Sequence, residues 1–211
     1  MTATVRFYFD VVCPYAYLAS TQIERVCAEA GASLEHRPIL LGGLFRAIGQ
    51  SDDPNQGMPA AKAAMNRLDL LRWADLWGVP LSPPAHHPMR SVLAMRAVIA
   101  SGDVPRAARR LFDAYWRDGL DITDGPTLAQ ALDEVELPGA EIVQRAASQP
   151  IKDELRARTD EAVAAGAFGV PTFVVERGIP GGLGQTSLIW GQDRLHFVTK
   201  AIEGTLDEVD A

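Results

Sequence analysis

The residues whose types and settings point to chemistry are a cysteine near the N-terminus and a proline in the last quarter of the chain. Cys13 follows an apolar run at residues 5–12, and Pro14 then opens a helical pattern, so the sulfur should lie at a helix N-terminus. Unpaired N–H groups and the helix dipole favour an anion there, which predicts a lowered pKa and a nucleophilic thiol. The alternative is a buried cysteine that packs as a small hydrophobic residue.

The proline is Pro171, which directly precedes a strand pattern at residues 172–176. The bond before proline is the one peptide bond for which the cis form is inexpensive, and proline cannot donate to a sheet. A cis-proline turn facing a cysteine at a strand end would expose the backbone N–H and C=O of Val170 to an extended peptide such as glutathione. The alternative is an ordinary trans proline at the start of a strand.

The elements that must position these residues are distributed unevenly along the chain. Strands are predicted by period-2 or continuously apolar patterns at residues 5–12, 33–39, 172–176 and 187–190. Helices are predicted at residues 15–30, 59–77, 91–100, 105–117, 126–135, 140–147, 152–165 and 193–206. The first strand, helix and strand should form a right-handed βαβ unit with parallel strands.

This order predicts an α/β fold that is interrupted by helices. A continuous α/β sheet would alternate strands and helices throughout, whereas this chain has a long stretch with no strand pattern. We therefore interpret residues 51–165 as an all-helical domain, inserted into one α/β domain that residues 1–50 and 166–211 form together.

The composition excludes several functional classes. The 211-residue chain has a formal net charge of −7, which argues against nucleic acid as a partner because phosphate backbones need clustered Lys and Arg. No secretory signal and no apolar stretch of about 20 residues is visible, so we expect no membrane partner and a cytoplasmic protein. A helix between Cys13 and Cys27 would hold them roughly 21 Å apart, too far for a disulfide.

The histidines and tryptophans do not show a pattern that indicates a metal or another cofactor. The four histidines lack the spacing of zinc ligands, so we expect no metal. The tryptophans are interpreted as core residues; they are Trp73, Trp77, Trp116 and Trp190.

Four stretches together resemble the 2-hydroxychromene-2-carboxylate isomerases and follow that family's order over nearly the whole chain. They are residues 7–19 (FYFDVVCPYAYLA), 38–46 (PILLGGLFR), 72–80 (RWADLWGVP) and 190–195 (WGQDRL). The resemblance implies a thioredoxin-like fold, shared with kappa-class glutathione transferases and with disulfide oxidoreductases that carry C-P-x-C. It also implies glutathione as the cosubstrate and a homodimer formed through the helical block.

The resemblance assigns the glutathione site residue by residue. Cys13 falls where the isomerases and kappa transferases usually have a serine that hydrogen-bonds the glutathione sulfur. Pro171 falls at the cis-proline, and Val170 would bind the cysteinyl backbone of glutathione. Asp193 would hold the γ-glutamyl ammonium, with Gln192 beside it. Without the resemblance, Asp193 is simply a good helix-capping residue.

On the substrate side, some residues match the pattern of the isomerase family and others depart from it. Arg46 falls where the isomerases usually have a substrate-facing lysine, and Arg90 stands where they commonly have asparagine. With Tyr15 of the cysteine motif, these are the candidate substrate contacts. Ala16 occupies the second-cysteine position of the redox motif, so a C-P-Y-A site lacks a resolving thiol and cannot cycle by itself as a dithiol.

The leading hypothesis is a glutathione-dependent isomerase of a carboxylated aromatic or chromene-like compound. The alternative is a monothiol redox enzyme in which Cys13 forms a mixed disulfide with glutathione, which serine could not do. A kappa-like glutathione transferase and a non-catalytic binding module are further possibilities.

Overall fold

The computed structural model describes residues 3–51, 57–178 and 184–206. Within these residues it has one sheet, nine α-helices and one 3₁₀ turn. In chain order, the elements are β1 (Thr4–Phe9), α1 (Pro14–Glu29), β2 (Ser33–Pro38), α2 (Leu41–Ala47), α3 (Ala60–Trp77), α4 (Val92–Ala100), α5 (Val104–Trp116), α6 (Gly125–Asp133), α7 (Gly139–Ala146), α8 (Gln149–Ala164), β3 (Thr172–Arg177), β4 (Gln185–Trp190), the 3₁₀ turn (Gln192–Arg194) and α9 (Leu195–Glu203).

The four strands lie in the order β2-β1-β3-β4. β1 pairs in parallel with β2 and antiparallel with β3, and β4 pairs antiparallel with β3. The predicted βαβ unit is confirmed. Phe7 and Phe173 are directly opposite each other on β1 and β3, fully buried, with ring centroids 5.3 Å apart. Phe173 is two residues after Pro171, so this aromatic stack adjoins the segment that precedes β3.

β1 ends three residues earlier than its apolar pattern predicted. The N–H of Cys13 donates to the Asp10 carbonyl at 3.0 Å, and the N–H of Val12 donates to the Asp10 carboxylate at 3.2 Å. Residues 10–13 therefore form a turn instead of continuing along the sheet. The turn directs the chain into α1 with Cys13 as the N-cap residue.

The sequence pattern did not predict one of the helices, α2. Gly42 and Gly43 are poor helix formers, so the pattern at residues 41–47 is weak. Tertiary contacts stabilise the helix instead: Leu44 and Phe45 are buried, and the N–H of Leu41 donates to the Asp10 carboxylate at 2.9 Å.

The helices between β2 and β3 differ in how they pack. α4 is buried nearly all round, as its apolar sequence predicted, whereas α3 has Ala74 as its one buried residue. α8 contacts the sheet, because the Tyr8 hydroxyl donates to Glu161 at 2.7 Å and the N–H of Leu40 donates to the Thr159 hydroxyl at 3.1 Å. The division of the chain at residues 51 and 165 stays a prediction.

Among the described helices, none has both the length and the apolar character that a bilayer crossing requires. In the same part of the chain, no group of three or more His, Cys, Asp or Glu side chains is arranged to hold a metal ion.

Candidate active site

Cys13 lies at the N-terminus of α1 and faces the proline segment before β3. Its thiol donates a hydrogen bond to the carbonyl of Val170 at 3.2 Å. The Val170–Pro171 peptide bond is cis. The structure therefore brings together the two features that the sequence singled out, although 157 residues separate them in the chain.

The predicted lowered pKa of Cys13 is wrong. The pKa of this thiol is raised to about 12: burial is the main cause and the negative charge of Asp10 adds to it, although the N–H groups of Ala16 and Tyr15 favour the thiolate. The residue is 7% exposed, so loss of solvation outweighs the helix terminus. At neutral pH Cys13 is a protonated thiol and a hydrogen-bond donor.

A cleft of about 830 Å³ opens beside Cys13. Its sheet-side wall consists of the start of α1, the segment before β3 and the end of β4. Its helical wall consists of α2, α3 and the segment that leads into α4. The lining residues include Cys13, Tyr15, Gly169, Val170 and Trp190 on the sheet-side wall. On the helical wall they include Leu41, Phe45, Arg46, Leu70 and Arg90.

The cleft has more cationic than anionic side chains. Arg46 and Arg90 both line it, and so does Arg67 of α3, which the sequence pattern did not predict as a site residue. All three are exposed, and they come from different elements. Asp10 is the acidic residue in the lining, and its carboxylate is fully buried. The arrangement favours an anionic, partly apolar ligand.

Tyr15 is half-buried at the mouth of the cleft. Burial raises the pKa of its hydroxyl, and the nearby Cys13, Asp69 and Asp193 raise it as well. Tyr15 therefore stays a neutral hydrogen-bonding group beside Cys13.

The two predicted contacts beyond Trp190 lie in the 3₁₀ turn before α9. Gln192 is buried, and Asp193 is half-buried with its carboxylate 3.0 Å from Arg194. The N–H of Gly191 donates to the Pro171 carbonyl at 3.0 Å, which joins this turn to the proline segment. Neither Gln192 nor Asp193 belongs to the lining of the cleft.

Trp116 is a core residue as predicted, whereas the interpretation of Trp190 as core is wrong. Trp190 is 40% exposed, lines the cleft and packs on Phe168 with ring centroids 5.0 Å apart. The guanidinium of Arg194 lies 5.5 Å from the Trp190 ring centroid. Only the fold could reveal this aromatic wall, because Phe168 and Trp190 are distant in sequence.

Asp10 is a further residue of the site, and the sequence pattern did not predict it. Its carboxylate accepts hydrogen bonds from the N–H groups of Val12 and Leu41 and from the Ser91 hydroxyl. An aspartate after an apolar strand and three residues before a cysteine was the available signal. Its long-range partners were not predictable from the local pattern.

The sheet, the cysteine at the start of α1 and the facing cis-proline define a thioredoxin-like protein with a single thiol at its site. The family model of the DsbA-like thioredoxin domain matches residues 4–203. The chain belongs to this family, and the predicted thioredoxin-like fold is confirmed.

Comparison with individual proteins confirms the resemblance inferred from the sequence. A 2-hydroxychromene-2-carboxylate isomerase from Sphingobium xenophagum is 29% identical over 201 residues, which cover 94% of this chain and 97% of that protein. The kappa 2 glutathione S-transferase of Caenorhabditis elegans is 28% identical, over 97% of this chain and 95% of that protein. A solved structure of a 2-hydroxychromene-2-carboxylate isomerase matches with a TM-score of 0.80 and 25% identity, over 95% of each chain.

Proposed function

We propose that the protein is a cytoplasmic, glutathione-dependent isomerase of the 2-hydroxychromene-2-carboxylate isomerase type. Its substrate is a carboxylated aromatic or chromene-like compound. The observation that carries the proposal is the Cys13 thiol, which donates a hydrogen bond to the Val170 carbonyl at the edge of the cleft as a serine hydroxyl would. A cytoplasmic location keeps this thiol reduced.

The site fits the backbone of glutathione. Val170 lines the cleft, and its N–H has no hydrogen-bond partner among residues 3–51, 57–178 and 184–206. An extended peptide beside Val170 can accept from this N–H and donate to the Val170 carbonyl. Asp193 is the carboxylate for the γ-glutamyl ammonium, which would replace its present partner Arg194. Gln192 supports this turn from its buried position.

Bound glutathione supplies a thiolate that adds to a conjugated double bond and later leaves, so that the former double bond can rotate and re-form. Cys13 stabilises the thiolate by turning its one S–H donor from the Val170 carbonyl to the glutathione sulfur, without transferring the proton. The N–H groups of Tyr15 and Ala16, which already point to the Cys13 sulfur, make the helix terminus favourable for negative charge.

The arginines of the helical wall and an aromatic pair of the sheet-side wall bind the other reactant. Arg46, Arg67 and Arg90 offer planar guanidinium groups to a carboxylate, which is a stronger and more directional contact than an ammonium provides. The Phe168–Trp190 pair offers an aromatic face for the ring system of the substrate. Together these groups orient the substrate with its double bond towards the sulfur.

The redox alternative is less well supported. A mixed disulfide requires attack by a thiolate, and the pKa of Cys13 is raised instead of lowered. Ala16 is fully buried where a resolving cysteine would be needed.

The direct test is conversion of 2-hydroxychromene-2-carboxylate followed by ultraviolet absorbance, with and without glutathione. We expect turnover that requires glutathione and is not supported by S-methylglutathione, which keeps the peptide but has no free thiol. Equal turnover with the two peptides, or none with either, would contradict the proposal. Treatment with oxidised glutathione and peptide mass mapping, which separates Cys13 from Cys27, tests the redox alternative.

We further propose that the protein is a homodimer that pairs through α3. On one face of this helix Met65, Leu68 and Leu76 are 51%, 44% and 70% exposed. Arg72 and Asp75 are exposed on the same face. Two antiparallel copies of α3 around a two-fold axis can place Arg72 of each chain opposite Asp75 of the other, so the face is complementary to itself.

Sedimentation of the parent and of Leu76→Glu tests this pairing. We expect a dimer for the parent and a monomer for Leu76→Glu. Phe197→Glu is the matched control, because Phe197 is an exposed apolar residue on α9. A Leu76→Glu protein that stays dimeric would exclude α3 as the interface.

A further inference from the structure

Asp10 is a fully buried carboxylate with three hydrogen bonds from three separate parts of the fold. Its Oδ1 atom accepts from the N–H of Val12 at 3.2 Å. Its Oδ2 atom accepts from the N–H of Leu41 at 2.9 Å and from the Ser91 hydroxyl at 2.8 Å. Leu41 and Ser91 are 31 and 81 residues away in the chain.

Each donor lies on a segment that carries a residue of the cleft. Val12 immediately precedes Cys13, and Leu41 is the first residue of α2, which carries Arg46. Ser91 is the N-cap residue of α4 and immediately follows Arg90. One carboxylate thus connects the thiol with two of the three arginines.

We propose that Asp10 is a positioning residue, whose carboxylate fixes the relative placement of the Cys13 turn, the start of α2 and the start of α4. The inference rests on the proposed function for what the cleft binds, but the three hydrogen bonds exist without any ligand. Asp10 itself acts through these segments and not by contact with the reactants.

A second role follows from the charge of Asp10. Burial raises the pKa of Asp10 to about 6, and its three hydrogen bonds partly offset this, so the group is ionised at neutral pH. Its negative charge contributes to the raised pKa of Cys13 and so helps to keep the sulfur protonated. Among the described residues, the other titratable or charged groups around this part of the cleft are Tyr15, Arg46, Arg67, His87, Arg90 and Tyr115.

The carboxylate is unfavourable for stability at neutral pH. Because its pKa is higher in the folded than in the unfolded chain, its contribution to stability decreases as the pH rises from about 4 to about 6. Retaining a buried charge at this cost is reasonable for a group that organises the cleft, and a neutral amide should fold at least as readily.

The test compares Asp10→Asn with the parent, both in a Cys27→Ala background so that Cys13 is the one titrating thiol. The amide can keep the bonds from Leu41 and Ser91 but presents its NH₂ group to the N–H of Val12. We expect Cys13 to react with iodoacetamide a few-fold faster at a fixed alkaline pH, because the variant lacks the negative charge that helps to raise the pKa of this thiol. We also expect faster amide hydrogen exchange in the turn at residues 10–13.

Two further variants complete the design. Asp160→Asn removes the same charge from an exposed site on α8 and should leave both measurements at the parent's values. Ser91→Ala removes one bond and keeps the charge, so it should speed exchange at residues 91–95 without changing alkylation of Cys13. If Asp10→Asn does not fold, Ser91→Ala still tests the proposal.

The outcomes separate this inference from the proposed function. Neither alkylation nor hydrogen exchange involves glutathione or substrate, so both test Asp10 even if the parent fails to bind glutathione. Unchanged alkylation and unchanged exchange at residues 10–13 in Asp10→Asn would overturn the inference. So would unchanged exchange at residues 91–95 in Ser91→Ala, or a uniform rise over the whole chain.

Discussion

The two walls of the cleft are constructed differently. On the sheet side, Cys13 and Val170 are buried, and they are hydrogen-bonded to each other at 3.2 Å. On the helical side, Arg46 and Arg67 are exposed, on helices that the rest of the fold covers only partly. The buried backbone and sulfur of the sheet-side wall suit a constant partner such as a peptide thiol. A wall of exposed side chains can change its ligand through single substitutions.

The largest effect is expected at the sulfur of the sheet-side wall. Cys13→Ala should reduce kcat/KM by about 10²-fold, because it removes a hydrogen-bond donor to developing negative charge. Cys13→Ser should retain most of the activity, since a hydroxyl donates in the same position. Glutathione-dependent turnover of 2-hydroxychromene-2-carboxylate measures both. Equal activity in the parent, Cys13→Ser and Cys13→Ala would remove Cys13 from the mechanism.

The next-largest effect is the difference between the two walls in how much their residues contribute to the free energy of unfolding. Phe173→Ala should lower the free energy of unfolding by about 3–5 kcal/mol, because Phe173 is fully buried and stacked on Phe7 next to the sheet-side wall. Arg67→Ala should change it by less than about 0.5 kcal/mol, since the side chain is exposed. Urea denaturation followed by circular dichroism gives both values. Similar losses in the two variants would show that the helical wall is as tightly packed as the sheet.

A smaller effect is expected for the guanidinium groups. Arg46→Met and Arg67→Met should each raise the KM for the carboxylated substrate about tenfold, with the affinity for glutathione unchanged. Arg156→Met on α8 is the control, because Arg156 is exposed and outside the cleft lining. If glutathione binding weakened as much as substrate binding, the division of tasks between the walls would be wrong.

The smallest effect concerns pH. Because the pKa of Cys13 is raised to about 12, its ionisation should produce no step in the activity profile between neutral and mildly alkaline pH. A folded-state pKa above the unfolded value means that Cys13 loses stabilisation as the pH rises from about 9 towards 12. Activity profiles and melting temperatures over this range, compared with Cys13→Ser, measure both. A Cys13-dependent step near neutral pH would restore the thiolate interpretation.

Local patterns predicted the strands, the long helices and the approach of Cys13 to the proline segment. They failed where distant contacts decide the outcome. The sequence at α2 contains two adjacent glycines, yet burial of Leu44 and Phe45 stabilises a helix there. The predicted low pKa of Cys13 followed from the helix terminus alone, whereas burial dominates in the folded chain. Arg67 and the Phe168–Trp190 pair reach the cleft through tertiary packing.

The carbonyl oxygen of Val170 has capacity for a second donor. A carbonyl carries two lone pairs, and the thiol of Cys13 uses one of them. An incoming amide can take the other without displacing the sulfur. When the single S–H proton of Cys13 turns to the thiolate of the bound peptide, this amide keeps the Val170 carbonyl paired. Recognition of the peptide and activation of its sulfur are therefore separable, and a chain without the Cys13 thiol can still capture the cosubstrate it no longer activates.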